Sequence, residues 1–554
     1  MKRLFLLLLC VITLVPTMNA CSFDKPSDGT VDSSESLETG AFSVASLADY
    51  TVVYSKNEDS GRVHKGIRNL CTALSDKFGV EVEHRNDRVV EDAATADETC
   101  EILVGQTNRE ASKTVYADLK KVNDYEIRII DQKVVIAAWD EEIMVRLLQE
   151  LCDTVNDFSE DRSHFFDSSM QQFGKGTYEL ENICLGSDGI NDYTVVYENT
   201  DMGKYLAERI TQKVMEKTGY ILKTASDPDM VQGKMILVGN TSKGKPADMD
   251  LESNEGYYAG LQGDDLYLFG EDDPQIYKAV EYFLDLLDDA KGDVAVIDPD
   301  VGAVISQDTS ITSMSFNLWV GGMTDARMAV VLKMIQKHCP DTFGVQEASS
   351  KWMDYLNANL GDEYSFVGEG REGGSSGERS AVFYKKDRFT LIESGTQWLS
   401  DTPDQPSKYS NSMYKRIFTY ALLERKSDGL QFMHINTHTD HAGNETVRLQ
   451  QVSVITDFIK KHTDVPTVIS GDFNAQPTSA SILHMCSVAK NSSEIALVGK
   501  KQATFQSGSI IDYIFVTHGD FLVYRYQVDP SKIDHIQPSD HYPVVIRFDI
   551  NNSD

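Results

Sequence analysis

Six short strings between Ser315 and His541 concentrate the side chains that could activate water and hold a hard cation. They are Ser315-Phe-Asn-Leu-Trp319, Gly344-Val-Gln-Glu347, Asn436-Thr-His438, Ser470-Gly-Asp-Phe-Asn474, Ile511-Asp-Tyr-Ile-Phe515 and Pro538-Ser-Asp-His541. Their polar members are carboxylates, carboxamides and imidazoles, with no cysteine among them. Oxygen-rich donor sets of this kind suit Mg²⁺ or Mn²⁺ better than structural zinc.

Most of the strings border a short apolar run: Ile311 to Phe316, Thr342 to Val345, Phe432 to Ile435, Val465 to Ile469 and Ile510 to Val516. Runs of this length read as buried strands, and strand ends are where α/β sheets place their sites. The pattern predicts an α/β domain over residues 305–550 with its polar residues gathered at one sheet end.

In order and wording the strings resemble the endonuclease/exonuclease/phosphatase superfamily, the DNase-I-like metal-dependent phosphoesterases, over roughly residues 308 to 550. The resemblance implies a four-layer α/β/β/α sandwich and a divalent cation, Mg²⁺ or Mn²⁺, as cofactor. It implies metal binding by Asn317 and Glu347, with Asp540 beside the metal. Asp472 corresponds to the residue that orients or deprotonates the attacking water. Asn474, two residues on along the same strand end, is expected to face the same way and to hold a phosphoryl oxygen or the water. His541 corresponds to the last histidine of the family, oriented by Asp512, and His438 to the middle histidine, donating to a phosphoryl oxygen as charge builds there. The implied reaction is in-line hydrolysis of a phosphate ester, more readily a diester than a monoester. The chain departs from the family's repair nucleases at Trp319, where they carry an aspartate, so abasic-site repair is not expected.

A glycine-rich stretch from Gly370 to Tyr384, followed by Lys415-Arg-Ile-Phe418, resembles a bacterial branch of the same superfamily. Arg371, Glu378 and Arg416 stand at its polar positions and could clamp an anionic substrate, since guanidinium matches phosphate bidentately. A local Arg416–carboxylate pair is the alternative. His441 reads equally as a substrate contact or a structural histidine. His338, His434 and His462 have no motif around them and read as surface or turn residues, and Cys339 and Cys486 as small buried hydrophobes.

The first residues are addressing rather than fold. Lys2 and Arg3 precede an apolar stretch from Leu4 to Pro16, too short to span a bilayer, and Met18-Asn-Ala-Cys21 closes it. Residues 1–21 resemble a bacterial lipoprotein signal with Cys21 lipidated; ordinary secretion with cleavage near Ala20 is the alternative. Residues 22–46, rich in Ser, Asp, Glu and Gly, read as a flexible tether. This reading predicts an extracytoplasmic, membrane-anchored protein of a bacterial cell envelope.

A duplicated unit follows. Asp49-Tyr-Thr-Val-Val-Tyr54 returns as Asp192-Tyr-Thr-Val-Val-Tyr197, and Glu101-Ile-Leu-Val-Gly-Gln-Thr107 as Met235-Ile-Leu-Val-Gly-Asn-Thr241. Tyr125 to Ala138 and an amphipathic run to Val155 match Tyr257 to Gly270 and Ile276 to Leu287. Two small α/β domains are therefore predicted, over residues 47–160 and 190–292. They are similar to accessory domains of some surface glycosidases, which implies spacer, glycan or envelope-contact roles. A non-catalytic adhesion or glycan-binding protein is the alternative reading of the whole chain, and binding alone does not require the six strings.

Charge bears on the substrate. The chain carries −34, yet residues 305–550 hold 23 Lys and Arg against 28 Asp and Glu, which leaves about −28 on the first 304 residues. So acidic a half repels polymeric nucleic acid, which is not the favoured substrate although an extracellular nuclease fits the fold. The six cysteines after Cys21 can pair in fifteen ways; Cys71, Cys100, Cys152 and Cys184 lack counterparts across the repeats and read as mostly free.

Overall fold

A computed structural model of the chain describes residues 49–56, 61–88, 100–158, 171–226, 231–247, 256–306, 308–442, 444–517, 519 and 521–550. The signal-like segment, Cys21 and the tether lie outside the described residues. No helix among the described residues is long and apolar enough to cross a membrane.

The C-terminal domain is the expected four-layer α/β/β/α sandwich. One six-stranded sheet runs Tyr364–Val367, Arg379–Lys385, Thr342–Ala348, Ile311–Asn317, Val544–Ile550, Phe521–Val528. The second runs Phe389–Trp398, Ile417–Arg425, Gln431–His438, Thr467–Asp472, Asp512–Thr517, Ala489–Asn491. Helices Asp325–His338 and Ser350–Leu360 cover the first sheet, packing Met334 and Trp352 against Phe316 and Phe343. Helices Glu445–Lys460 and Ala480–Met485 cover the second, with Ile455 and Ile482 against Ile435 and Ile469. Between the sheets lies a third apolar layer that includes Val382, Phe432, Ile514 and Ile546.

That inner layer also has a polar patch. Asn436 donates to the carbonyls of Val345 and Ala381 at 2.9 Å each and accepts from Gln346 at 2.7 Å, so it ties the second sheet to two strands of the first. His434 bridges them too, with Nδ1 2.7 Å from Thr342 Oγ1 and Nε2 2.9 Å from Ser470 Oγ. Thr342 already donates to Phe383 O, so the neutral ring is satisfied as Nδ1–H donor and Nε2 acceptor. The sheets approach closely because position 344 is glycine: a Cβ there would lie 2.3 Å from Ser470 Oγ.

These contacts correct the expected surface histidines. His434 is fully buried. His338 is also nearly buried, 2.8 Å from Asp529 at the end of its helix. His462 keeps its expected place in the turn after its helix, partly buried with its ring 4.3 Å from that of Phe458. Cys339 is exposed rather than buried, because it closes the helix in the left-handed conformation with φ 42°. All six cysteines of the described residues are free.

The two N-terminal units share one sheet plan. The first orders Glu83–Asn86, Thr51–Tyr54, Glu101–Val104, Lys133–Ala138, Tyr125–Ile130, Gln172–Gly174. The second orders Lys223–Ser226, Tyr193–Tyr197, Lys234–Val238, Asp265–Gly270, Gly256–Gln262, Gly302–Ile305. Each sheet extends past the expected boundary, through the edge strands Gln172–Gly174 and Gly302–Ile305, which return after the last helix to pair with the hairpin. The second unit is docked on the C-terminal domain. Arg525 grips Asp273 at 2.6 and 2.9 Å, Arg547 meets Asp272 at 2.6 Å, and Tyr524 packs into the unit's own core.

Candidate active site

Register explains most of the site. His438 pairs with Asp472 across parallel strands, and Asp472 pairs with Asp512 across antiparallel ones. The three therefore share one rung and project to the same side. The other sheet brings Asn317 at the end of its strand, and Glu347 at a bulge between Val345 and Ala348 where the backbone adopts φ 55°. A left-handed non-glycine residue at a strand bulge is strained, and such strain re-aims a side chain.

His541 Nδ1 lies 2.9 Å from Asp512 Oδ2, and its Nε2 lies 3.7 Å from Asp472 Oδ2. His438 Nε2 stands 3.4 Å from the same Asp472 oxygen. Asp472, Asp512 and His541 bring ligand-type atoms within 4.8 Å of one another. Because Asp512 already occupies His541 Nδ1, this trio is better suited to moving a proton than to chelation.

Burial raises the Asp472 carboxyl above the carboxylate range, and Asp512 pushes the same way against the pull of His541. Burial lowers His541, but Asp512 and Asp472 outweigh it and hold the imidazole protonated well above its ordinary value. His438 is driven far below its ordinary value by burial and then by Arg416, so it stays neutral. Neighbouring groups pushed in opposite directions are the pattern of acid–base division.

Asn317 Nδ2 donates to Asp472 Oδ2 at 2.9 Å and sits 3.3 Å from Glu347 Oε1, while its oxygen accepts from Trp319 N at 2.9 Å. The carboxamide thus orients both carboxylates, with its nitrogen rather than its oxygen turned to them. Asp540 is half-buried and raised, first by burial, with Glu347 among the like charges that add to it. Two carboxylates crowded in this way, with Arg327 committed to backbone carbonyls, fit a hard divalent cation bound through Glu347 and Asp540.

Asn474 differs from its expected placement. The strand ends at Asp472, the chain turns with φ 47° at Asn474, and its amide N donates to Asp472 Oδ1 at 2.9 Å. Its side chain donates to Thr439 O at 3.2 Å. Period-two reasoning fails because the side chain of Asp472 caps a turn in place of another strand residue.

Of the proposed substrate contacts, Arg371, Glu378 and Arg416 line a cavity that also reaches Glu347 and His438. Arg371 pairs with Glu378 at 2.7 Å and lies over the Tyr414 ring. Arg416 is nearly buried, and Nη2 contacts His441 Nδ1 at 3.2 Å. The exposed His441 stacks on Tyr414, whose ring also lies under Arg371 and Arg416.

Sequence reasoning missed the residues that hold the loops. Arg327 donates to the carbonyls of Leu318, Trp319, Gly321, Gly322 and Pro538, which fastens the loop after Asn317 to the segment carrying Asp540 and His541. Asp440 accepts from Ser412 Oγ and Met413 N, while Gln451 accepts from Asp440 N, which fixes the approach to Tyr414 and Arg416. Their partners are largely backbone groups, which any residue type supplies, so they leave no motif.

The domain that carries these residues matches known proteins. Residues 314–541 match the Endonuclease/Exonuclease/phosphatase family. The chain is 25% identical over 260 residues to nocturnin of Xenopus laevis, 41% of this chain and 65% of that protein. It is 30% identical over 135 residues to the CCR4-Not complex 3'-5'-exoribonuclease subunit Ccr4 of Mycosarcoma maydis, 18% of this chain and 20% of that protein. It thus spans less than two thirds of either curated relative. Among solved structures, it is 32% identical to an endonuclease/exonuclease/phosphatase family protein from Bacteroides thetaiotaomicron, covering 44% of this chain and 100% of that one, with a TM-score of 0.40. It is 31% identical to a mannosyl-6-phosphatase from Bacteroides thetaiotaomicron VPI-5482, covering 43% and 99%, with a TM-score of 0.39. Through its C-terminal domain, the chain belongs to the endonuclease/exonuclease/phosphatase family.

Proposed function

We propose that the C-terminal domain is a divalent-metal-dependent phosphoric ester hydrolase. The observation that carries this is the contact of Asp472 with both His438 and His541, the latter held by Asp512, beside Glu347 and Asp540. Asp472, poised by burial near the point of proton exchange, orients and deprotonates water for attack at phosphorus. The protonated His541 donates toward a phosphoryl oxygen, and Asp512 keeps the ring aligned. His438 and Arg416 face the charge that builds on the phosphoryl group. Glu347, oriented by Asn317, and Asp540 would hold Mg²⁺ or Mn²⁺, which would supply Lewis-acid polarisation when bound.

The acidic composition of the first 304 residues and the absence of a compensating basic stripe in the sequence support a small ester rather than polymeric nucleic acid. The lipoprotein-like segment ending at Cys21 supports action at an envelope surface, with the N-terminal units as spacers or glycan contacts. The test is hydrolysis of 4-nitrophenyl phosphate, bis(4-nitrophenyl) phosphate, phospholipid and DNA after EDTA treatment and after readdition of Mg²⁺ or Mn²⁺. Activity should vanish and return, and Glu347→Gln should raise the metal concentration needed. Full activity after exhaustive chelation would sink the assignment.

A further inference from the structure

Trp319 stands between two of the hydrogen bonds that shape the site. Its backbone N–H donates to Asn317 Oδ1 at 2.9 Å, and the N–H of the next residue, Val320, donates to Glu347 Oε2 at 2.7 Å. Between these bonds Trp319 is held at φ 51°, in the left-handed region that bulky side chains avoid. A glycine or asparagine would make the same turn at less cost. Strain of this kind persists only where the surrounding structure imposes it, and it gathers at sites that bind or react.

The indole is fixed as firmly as its backbone. The Arg327 guanidinium lies 5.0 Å from the ring centre while it donates to the carbonyls of Trp319 and Pro538. The ring runs along Gly321 and Gly322, where a Cβ would lie 2.7 Å from its Nε1 and 3.2 Å from its Cη2. Despite these contacts Trp319 is 38% exposed. Tyr414, the other exposed Tyr or Trp of the C-terminal domain among the described residues, is already stacked on His441 and lies under Arg371. Trp319 thus presents a rigid, solvent-exposed ring at the edge of the site. Such a ring loses little freedom when a second ring lies on it. Its place relative to phosphorus follows from the carboxylates. Asn317 Nδ2 stands 2.9 Å from Asp472 Oδ2 and 3.3 Å from Glu347 Oε1, so it lies between them. In an in-line displacement the alcohol departs opposite the attacking water. With the water at Asp472, the alcohol leaves on the Glu347 side, where Trp319 is rooted.

We propose that Trp319 is a specificity-determining residue that stacks on a ring in the alcohol portion of the ester, so that ring-bearing alcohols are preferred over open-chain ones. This rests on the reading of the domain as a phosphoric ester hydrolase. The charged side chains grip the phosphoryl group, which all such esters share, whereas Trp319 reads the part that differs between them. An open chain gains only burial against the indole, while a ring also gains a matched face.

The test measures kcat/KM in the full chain, with Mg²⁺ and by release of the alcohol, for the benzyl, cyclohexylmethyl and heptyl esters of phosphate and of methyl phosphate. The three alcohols are primary and have the same carbon count, so they differ chiefly in shape. At least one ring ester should exceed the matching heptyl ester about 3- to 10-fold, the contribution of one aromatic stack. Which ring leads tells a planar aromatic alcohol from a saturated one. Trp319→Asn, which accepts the left-handed backbone, should abolish the ratio, and Trp319→Phe should keep more of it. If circular dichroism shows Trp319→Asn misfolded, Trp319→Gly decides. Equal cleavage of ring and chain esters, a ratio that survives in Trp319→Asn, or one no higher in Trp319→Phe overturns the role of Trp319 and leaves the hydrolase standing. Metal-dependent cleavage of none of the esters overturns both.

Discussion

Lowering the pH from 7 to 5 should destabilise the C-terminal domain by about 2 kcal/mol through His434 alone. Burial pushes this imidazole down from 6.5 to about 3 in the folded chain, and the ring is fully enclosed between the sheets. An unfolded chain takes up the proton near 6.5, whereas the folded one resists it. Stability from this residue is therefore complete above about pH 6.5 and is lost as pH falls from there toward about 3. Between pH 7 and pH 5 the unfolded state gains nearly one and a half decades of protonation, which at about 1.36 kcal/mol per decade gives the 2 kcal/mol.

The assay is urea unfolding of the wild-type chain and of His434→Gln at both pH values, followed through the emission change of buried Trp352. Gln keeps a donor and an acceptor for Thr342 and Ser470 but cannot be protonated. The variant should be less stable at pH 7 by about 1–3 kcal/mol, the loss from imperfect buried hydrogen bonds. It should also lose about 2 kcal/mol less than the wild type on acidification. The difference between the two proteins cancels the other titrating groups, including His438 and His541. Identical pH dependence in the two proteins would refute the burial argument.

Three further outcomes are expected. Asp472→Asn and His541→Ala should each lower turnover about 10²- to 10⁴-fold with near-normal folding. The double variant should lose much less than the product, and Asp512→Asn should be milder than His541→Ala; wild-type turnover in a folded Asp472→Asn enzyme would overturn the mechanism. Arg525→Ala should loosen the second unit from the C-terminal domain by about 1–3 kcal/mol, since it removes a two-pronged contact with Asp273, and a double-mutant cycle with Asp273→Asn checks the coupling. Wild-type protein should partition with membranes while Cys21→Ser is released or mis-processed; a wild type found wholly in the medium would favour simple secretion.

What the sequence discloses depends on how local the cause is. Asn317, Glu347, His438, Asp472 and Asp512 were readable because each closes or opens an apolar run, and strand ends are set by neighbouring residues. The repeated units were readable because whole strings recur. Their edge strands were not, since Gln172–Gly174 and Gly302–Ile305 are only three and four residues long and depend on a hairpin far back in the chain. His434 was misread for the same reason: Thr342 lies 92 residues away and Ser470 lies 36 away. Arg327 shows the limit most clearly, because its acceptors are backbone carbonyls and any sequence could supply them.

These distant contacts also explain why the site has one geometry. Neither sheet holds the chemistry alone: the rung of His438, Asp472 and Asp512 lies on one, and Asn317 with Glu347 on the other. A purely apolar layer between the sheets would fix their separation but only loosely their slide, since dispersion and burial have little directional preference. Hydrogen bonds from Asn436 to Val345 and Ala381, and from His434 to Thr342, do have direction and pin the slide. The 2.9 Å bond from Asn317 to Asp472 crosses the same gap at the site itself. A shift of about 1 Å between reacting groups can lower a rate about 10²-fold. The buried polar layer is thus part of the catalytic apparatus although it touches no substrate, and changes at His434 or Asn436 should lower turnover before they unfold the domain.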